Sequence, residues 1–222
     1  MGEAIGQLLP GAIGVALSPV PIIAVILMLA TPRARVTGPS FAIGWIVGVT
    51  AVSVIVLLLA GPSDDPDSGA STALDWIKIV FGALFLLLAA RQWQTRPRPG
   101  VTPEAPKWMA TIDQFTAGKT FGFGVLLSAL NPKNLALTVA AMAGVAQAGL
   151  SAGEDVVAII VFVVIGSVTV AGPVVAYLLM GRNAEHALAS IRDWMTANNA
   201  TIMIVLFLVL GVKILGDGIA GL

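Results

Sequence analysis

The lysine at position 133 stands in the middle of an apolar run, residues 119–147. At about 1.5 Å per residue, roughly 27 helical residues extend about 40 Å, which places Lys133 near the midplane of a hydrocarbon core about 30 Å thick. A lysine there costs about 2.5 to 3.5 kcal/mol on insertion scales, and such residues normally face a bundle interior or a wet cavity. Lys133 is therefore the first candidate for a functional residue.

The neighbours of Lys133 add a helix break and two side-chain amides. Pro132 lacks a backbone N–H and obstructs the preceding turn, so the helix is expected to kink or split there. Asn131 and Asn134 could donate to a bound headgroup or cap the broken helix ends, and both alternatives stay open because Asn is a favoured cap. We predict that Lys133, Asn131, Asn134 and Pro132 belong to one substrate-binding site.

Two interpretations of Lys133 compete. In the functional one, the side chain binds an anion or handles a proton inside a cavity, and in the structural one it donates to carbonyls exposed at the break. No Asp or Glu lies at similar depth in any predicted span. The lysine must then be neutral, solvated by cavity water or paired with a bound anion such as a sulfated or phosphorylated headgroup. The functional interpretation is favoured because intramembrane ionisable residues are functional by default.

A second proline break interrupts the first apolar run, residues 4–30, at Ser18-Pro19-Val20-Pro21. Ser18, Pro19 and Pro21 are expected to shape this break more than to touch substrate, and they complete the predicted substrate-binding set. The two breaks occupy corresponding positions in the two halves of the chain. Such paired interruptions are the best sequence pointer to a midplane site in an inverted-repeat transporter.

The composition is that of a polytopic membrane protein, with 57% hydrophobic and 11% charged residues. The formal net charge of zero gives no reason to expect nucleic acid as a partner. The chain has no cysteine and one histidine, which argues against disulfides and against zinc or haem sites, so we predict no metal and no cofactor. No catalytic constellation or phosphate-cradling loop is present, and the protein is predicted not to be an enzyme.

The hydrophobic pattern predicts an all-α protein with six transmembrane helices. Two three-helix repeats, residues 1–93 and 119–222, are expected to insert in opposite senses because three is odd, and the first helix of each is broken at proline. A cytoplasmic linker rich in proline and basic residues, followed by an interfacial helix, is expected at residues 94–118. The predicted spans are residues 4–30, 41–60, 74–91, 119–147, 153–180 and 201–215.

The distribution of lysine and arginine predicts the orientation. The first, third and fifth connections, with their flanks, are basic, whereas the second and fourth hold no cation, so the positive-inside rule puts both termini outside the cytoplasmic membrane. Of the remaining lysines, Lys78 is expected to snorkel to the headgroups, and Lys213 to snorkel outward with Asp217 as an available partner. The cytoplasmic cations are Arg33, Arg35, Arg91, Arg96, Arg98, Lys107, Lys119, Arg182 and Arg192.

Two glycine pairs have the small-xxx-small spacing that lets helices approach closely. They are Gly44 with Gly48 and Gly118 with Gly122, and both are expected to serve packing. Small-residue faces of this kind also permit a homodimer without requiring one.

Three stretches of sequence occur together with the six-span layout: LSPVPIIA at 17–24, ATPRA at 30–34 and FGFGVLLSALNPKNL at 121–135. In these the chain resembles the GAP or Sap family of actinobacterial lipid-addressing proteins, in the LysE superfamily of exporters, and the resemblance covers nearly the whole chain. It implies a protein of the cytoplasmic membrane that assists export of cell-surface glycolipids, such as sulfolipids or glycopeptidolipids. Other branches of the superfamily move amino acids or metal ions, so the resemblance does not identify the cargo.

Three functions are compatible with these observations. The first is a transporter that assists translocation of a cell-surface lipid with a polar or anionic headgroup. The second is a LysE-like exporter of a small solute or inorganic ion, whose path could be sealed on its sides, whereas a lipid path needs a lateral gap. The third is a non-transporting accessory that docks a lipid synthase or a larger exporter through residues 94–107.

Overall fold

A computed structural model describes residues 1–60, 69–96, 112 and 114–222, and the regular structure of these residues is entirely helical. A π-helical turn, Leu126–Leu130, joins α5 to α6, and a 3-10 turn, Gly181–Ala184, joins α7 to α8. The helices are α1 (Gly2–Ala16), α2 (Pro19–Leu29), α3 (Ala34–Ala60), α4 (Gly69–Gln94), α5 (Ala117–Val125), α6 (Pro132–Gln147), α7 (Ala152–Met180) and α8 (Glu185–Ala220).

Both predicted proline breaks are confirmed. The chain bends by 50° between α1 and α2, and by 58° between the segment Ala117–Leu130 and α6. Pro19 and Pro132 are the first residues of α2 and α6. At that position the missing N–H has no helical partner to lose and the fixed φ suits the helix, so each proline ends one helix and starts the next.

Several helices are long and apolar enough to cross a membrane. By length and composition they form three continuous stretches, Ala34–Leu59, Thr72–Gln94 and Ala152–Ala220, or up to five crossings if each bent pair is one span. The last stretch contains both α7 and α8, between which Gly181 adopts a φ of 60°. The predicted all-helical membrane protein is therefore confirmed at this level.

One predicted span is continuous with the connection before it. The sequence predicts a polar, possibly helical connection at residues 182–199, and most of it forms one helix, α8, with the span expected at 201–215. Residues 185–199 contain neither glycine nor proline, so nothing local stops the helix before the apolar segment begins. Most of the predicted linker and interfacial helix, residues 97–111 and 113, lies outside the described residues.

Contacts between helices give their relative directions. Helix α3 runs antiparallel to α7, because Gly38 faces Val174 and the Trp45 Nε1 donates to the Gly166 carbonyl at 3.3 Å. Helix α4 runs antiparallel to α8, because Gly82 faces Leu215 and Gly218 faces Ile79. The α3–α7 pair and the α4–α8 pair are thus both antiparallel.

Two further pairs run parallel. Helix α1 runs parallel to α7, because Gly11 faces Phe162 and the Ala16 carbonyl accepts from Thr169. Helix α5 likewise runs parallel to α3, because residues 44 and 48 of α3 face residues 121 and 125 of α5. Because α3 and α7 are antiparallel, α1 and α5 also run in opposite directions.

The glycine pair Gly44 and Gly48 packs α3 against α5, as predicted. A Cβ on Gly44 would overlap the Phe121 carbonyl oxygen, and one on Gly48 would overlap the Ser128 hydroxyl. The prediction for the second pair is not met within this chain, because a Cβ at position 118 or 122 would meet nothing within 4 Å. Gly124 takes that role instead, since its Cβ would lie 2.8 Å from the Trp45 nitrogen.

Candidate functional site

Lys133 connects the two broken helices. Its side chain leaves the first turn of α6 and reaches the last turn of α1, where the Nζ donates to the Gly14 carbonyl at 2.7 Å and to the Ser18 hydroxyl at 2.6 Å. The residue is 6% exposed. The amino group of Lys133 therefore lies at the negative end of the α1 dipole, which favours its charged form.

All four carbonyls in the last turn of α1 have a hydrogen-bond donor within reach, although α1 ends inside the protein. A helix end leaves four carbonyls without intrahelical partners, and buried ones must find others. Side chains supply three of the donors, so this broken end is closed by groups that can rotate away. The donors are Leu17 N for Ile13 O, Lys133 Nζ for Gly14 O, Ser18 Oγ for Val15 O, and Thr169 Oγ1 for Ala16 O.

Asn134 extends this network into the second half of the chain. Its Oδ1 lies 2.9 Å from the Ser18 hydroxyl, and its Nδ2 donates at 3.0 Å to the Leu127 carbonyl in the π turn. The wider π turn leaves that carbonyl available to a side chain. Ser18 has a single hydroxyl proton, which it gives either to the Val15 carbonyl or to Asn134.

The remaining predicted site residues shape the breaks. Asn131 caps α6, because its side chain accepts from the Lys133 backbone N–H at 3.1 Å. Pro132, Pro19 and Pro21 lie in the first turns of α6 and α2. The structure thus brings together Lys133, Ser18 and Asn134, and the other four residues hold the backbone around them.

No carboxylate pairs with Lys133 among the described residues, whose ion pairs all involve other groups. In this conformation the ammonium has the structural role, bonded to a carbonyl at the helix break. The described residues also contain no group of three or more His, Asp or Glu side chains that could hold a metal ion.

A second buried polar cluster was missed from the sequence. The Asp75 carboxylate on α4 accepts from Lys78 at 3.0 Å and from the Gln147 amide of α6 at 2.9 Å, and Lys78 also donates to Gln147. Asp75 is 1% exposed and Lys78 is 7% exposed. The prediction that Lys78 snorkels to the headgroups is wrong, because these partners hold it inside the bundle. The i,i+3 spacing of Asp75 and Lys78 was the one available signal.

This cluster lines a polar cavity of about 610 Å³. The cavity lies at the end of the bundle where α1 and α4 begin and α6 and α8 end. A second, much smaller space of about 20 Å³ between α1, α6 and α8 shares Lys78 and Asp217 with this cavity. It is also lined by Leu137 and Leu210, which flank Gly14. The polar side chains that line the cavity are Glu3, Gln7, Asp75, Lys78, Gln147 and Asp217.

Fold and site together define a helical membrane protein in which two broken helices meet at a buried lysine. The family model described as Sap, sulfolipid-1-addressing protein, matches residues 8–220. The chain belongs to this family, as its sequence motifs predicted, and the family is one of addressing proteins rather than a known enzyme family. No curated protein and no solved structure matches the chain. The link to the LysE superfamily stays a prediction.

Proposed function

We propose that this protein is a transporter of the cytoplasmic membrane that assists translocation of a cell-surface lipid, with Lys133 holding an anionic group of the lipid. The observation that carries the proposal is the bond from Lys133 to the broken end of α1, because it joins the two interrupted helices through one buried cation. The family description, which names a sulfolipid, supports an anionic lipid as the cargo.

The helix directions support an inverted repeat. Corresponding helices of the two halves run in opposite directions, namely α1 and α5, α3 and α7, and α4 and α8. The contacts between the two halves also correspond: α5 of the second half packs on α3 of the first, and α1 of the first half packs on α7 of the second. If each bent pair is one crossing and α7 and α8 are two, the chain has six spans, and a midplane site between the repeats follows.

An anion would compete well for the lysine. The Gly14 carbonyl and the Ser18 hydroxyl are neutral acceptors, whereas a sulfate or phosphate carries a full negative charge and so adds a Coulomb attraction to the buried ammonium. Ser18 and Thr169 would keep their carbonyls satisfied while Lys133 turned to the ligand. The break is therefore a place where a headgroup can enter without leaving all of the α1 end unpaired.

The test is export in the source organism. The gene is deleted and restored as wild type, as Lys133→Met or as Lys119→Met, which removes an exposed lysine and serves as the control. Surface lipids and cell-retained lipids are extracted separately at matched protein levels. We expect one polar lipid to accumulate inside the deletion strain, and Lys133→Met to restore about tenfold less surface lipid than wild type, as loss of about 1.4 kcal/mol of binding would produce.

Two outcomes would overturn parts of the proposal. Identical lipid profiles in all strains would remove lipid as the cargo, and excreted solutes and ions would then be compared between the same strains. Full restoration by a folded Lys133→Met protein would leave Lys133 a structural residue only. Export that stops when part of residues 94–107 is deleted, with Lys133→Met fully active, would favour the accessory function.

A further inference from the structure

The polar cavity lies on a seam between two parts of the bundle. The α4–α8 pair forms one wall, and α1 and α6 form the other, with Asp75 and Lys78 bonded across the seam to Gln147. A cavity of about 610 Å³ is within the range of about 300 to 1,000 Å³ that is usual for ligand sites. Buried charged side chains on its wall are costly in a membrane protein and mark functional sites.

The charges of this cavity favour a neutral, hydroxyl-rich group. Its lining holds three carboxylates, those of Glu3, Asp75 and Asp217, and two of them are paired, Asp75 with Lys78 and Asp217 with Lys213. A sulfate or phosphate would therefore have to compete with a carboxylate for either ammonium. A hydroxyl group both donates and accepts, so a polyol can bond to carboxylates, amides and an ammonium in one site.

An apolar groove of about 580 Å³ lies beside the cavity. The turn after α6 separates the two spaces, because Gln147 and Ala148 line the cavity, Ala146 and Gly149 line the groove, and Leu150 lines both. The groove is formed by the C-terminal part of α3 and the N-terminal part of α7 and includes Val54, Leu58, Val156 and Ile159. Leu58 is 77% exposed and Val156 is 55% exposed. Since α3 and α7 are long apolar helices, we expect the groove to face the bilayer, near the end of the bundle where Asp155 lines it.

We propose that the cavity and the groove together form a second binding site, for a lipid whose hydroxyl-rich headgroup occupies the cavity and whose alkyl chain occupies the groove. The site is distinct from Lys133, because 14 residues of α6 separate Lys133 from Gln147, about 21 Å along the helix. Leu137 and Leu210 lie between them beside Gly14. This inference rests on the proposed function, in which it gives the lipid a holding site at the end of the path.

The probe is a dodecyl maltoside that carries a diazirine on its alkyl chain, added to the full-length protein in lipid nanodiscs. After irradiation, peptide mass spectrometry locates the labelled residues. We expect labels in the groove, at Val54, Leu58 or Val156. Val156→Trp, which fills the groove, should lower the yield about tenfold, whereas Val164→Trp, an exposed position on the same helix outside the groove, should leave it unchanged.

The headgroup arm uses the double variant Asp75→Asn with Lys78→Met, which removes both charges so that neither is left buried and unpaired. Labelling by the maltoside should fall about tenfold, and labelling by a diazirine-bearing dodecanol, which has no sugar, should be weak in wild type and unaffected by the variant. If the double variant does not fold, Gln7→Leu gives the same comparison, because Gln7 lines the cavity and is exposed to it.

Equal maltoside labelling in wild type and the cavity variants would overturn the proposal, as would dodecanol labelling as strong as that of the maltoside. Labels spread over other exposed apolar faces would show a general lipid contact and would also overturn it. Lys133→Met should leave the labelling unchanged. Failure of the export test at Lys133 and failure of this binding test are therefore distinguishable.

Discussion

Ser18 is the residue on which the polar contacts of both breaks converge. Its hydroxyl accepts from Lys133, lies 2.7 Å from the Val15 carbonyl and lies 2.9 Å from the Asn134 side chain. The residue is 2% exposed, so water cannot readily replace these bonds. A small hydroxyl thus links the end of α1, the start of α2 and the first turn of α6.

Replacing this hydroxyl should destabilise the protein. Ser18→Ala leaves the buried Val15 carbonyl without its donor and Lys133 with one acceptor fewer, and an unsatisfied buried group costs about 1 to 3 kcal/mol. We expect a lower melting temperature in thermal unfolding of the purified protein. The control is Ser190→Ala, which removes an exposed hydroxyl that donates to the His186 carbonyl on α8. Equal melting temperatures for the two variants would contradict the role given to Ser18.

Asn131 allows a second test at the same scale, because it caps α6 through its side-chain oxygen. Asn131→Ala should cost about 1 kcal/mol, the usual loss for a cap, whereas Asn131→Asp keeps an accepting oxygen and should stay near wild type. Thermal unfolding measures both. Loss of stability in the Asp variant equal to that in the Ala variant would show that the amide nitrogen, rather than the cap, is what the site needs.

At the scale of helices, backbone contact at glycine holds α3 against the α5 segment. A Cβ on Gly124 would overlap the Phe41 carbonyl and crowd the Trp45 nitrogen, and main-chain atoms cannot rotate away. Gly48 makes the matching approach from α3 toward Val125 and Ser128. This contact positions the π turn, whose Leu127 carbonyl binds Asn134.

A pair of substitutions two residues apart tests this contact. Gly124→Ala should destabilise the protein by about 1 to 3 kcal/mol, as overpacking does, and more if α5 must move. The Cβ that Gly122→Ala adds meets nothing within 4 Å, so this variant should stabilise α5 by about 0.5 to 1 kcal/mol, the usual gain of alanine over glycine in a helix. Thermal unfolding of both variants gives the comparison. A shift of the same sign in the two variants would contradict the packing described for Gly124.

The helices also show how much of the fold and of the site could be predicted from the sequence. Both breaks were predictable because proline acts on its own turn, and Lys133 was identifiable because charge is rare at that depth. The Asp75, Lys78 and Gln147 cluster was not predicted, because 72 residues separate Asp75 from Gln147 and only the packing of α4 near α6 brings them together. The polar stretch before the sixth span was interpreted as a connection, possibly helical, and its continuity with that span in α8 was not predicted, although residues 185–199 contain neither glycine nor proline.

At the scale of the molecule, the two ends of the bundle differ in charge. Among the described residues, the cavity end holds two lysines, Lys78 and Lys213, against five carboxylates, those of Glu3, Asp75, Glu154, Asp155 and Asp217. Helix α3 ends at the apolar groove, so its start lies at the opposite end of the bundle, near Arg33 and Arg35. Helix α4 begins at the cavity, so its last turn, with Arg91, lies at that opposite end as well. By the positive-inside rule we predict that the basic end is cytoplasmic and the cavity extracytoplasmic.

Cysteine labelling tests this orientation cleanly, because the natural chain has no cysteine. Gly153→Cys lies at the cavity end, in the first turn of α7 next to the groove residue Ala152, and its Cβ meets nothing within 4 Å. Asn183→Cys lies in the exposed turn between α7 and α8, at the basic end. In intact cells a membrane-impermeant maleimide should label Gly153→Cys alone. Asn183→Cys should react only after the membrane is permeabilised.

The opposite result would change the mechanism as well as the topology. If Asn183→Cys reacts in intact cells and Gly153→Cys does not, the cavity opens to the cytoplasm, and the site lined by Asp75 and Lys78 would load substrate rather than release it. If both react, the two ends of α7 lie on one side of the membrane and the six-span arrangement fails. Labelling of Gly153→Cys alone would put the lysine between the cytoplasmic end of the bundle and an outer cavity, as expected for export.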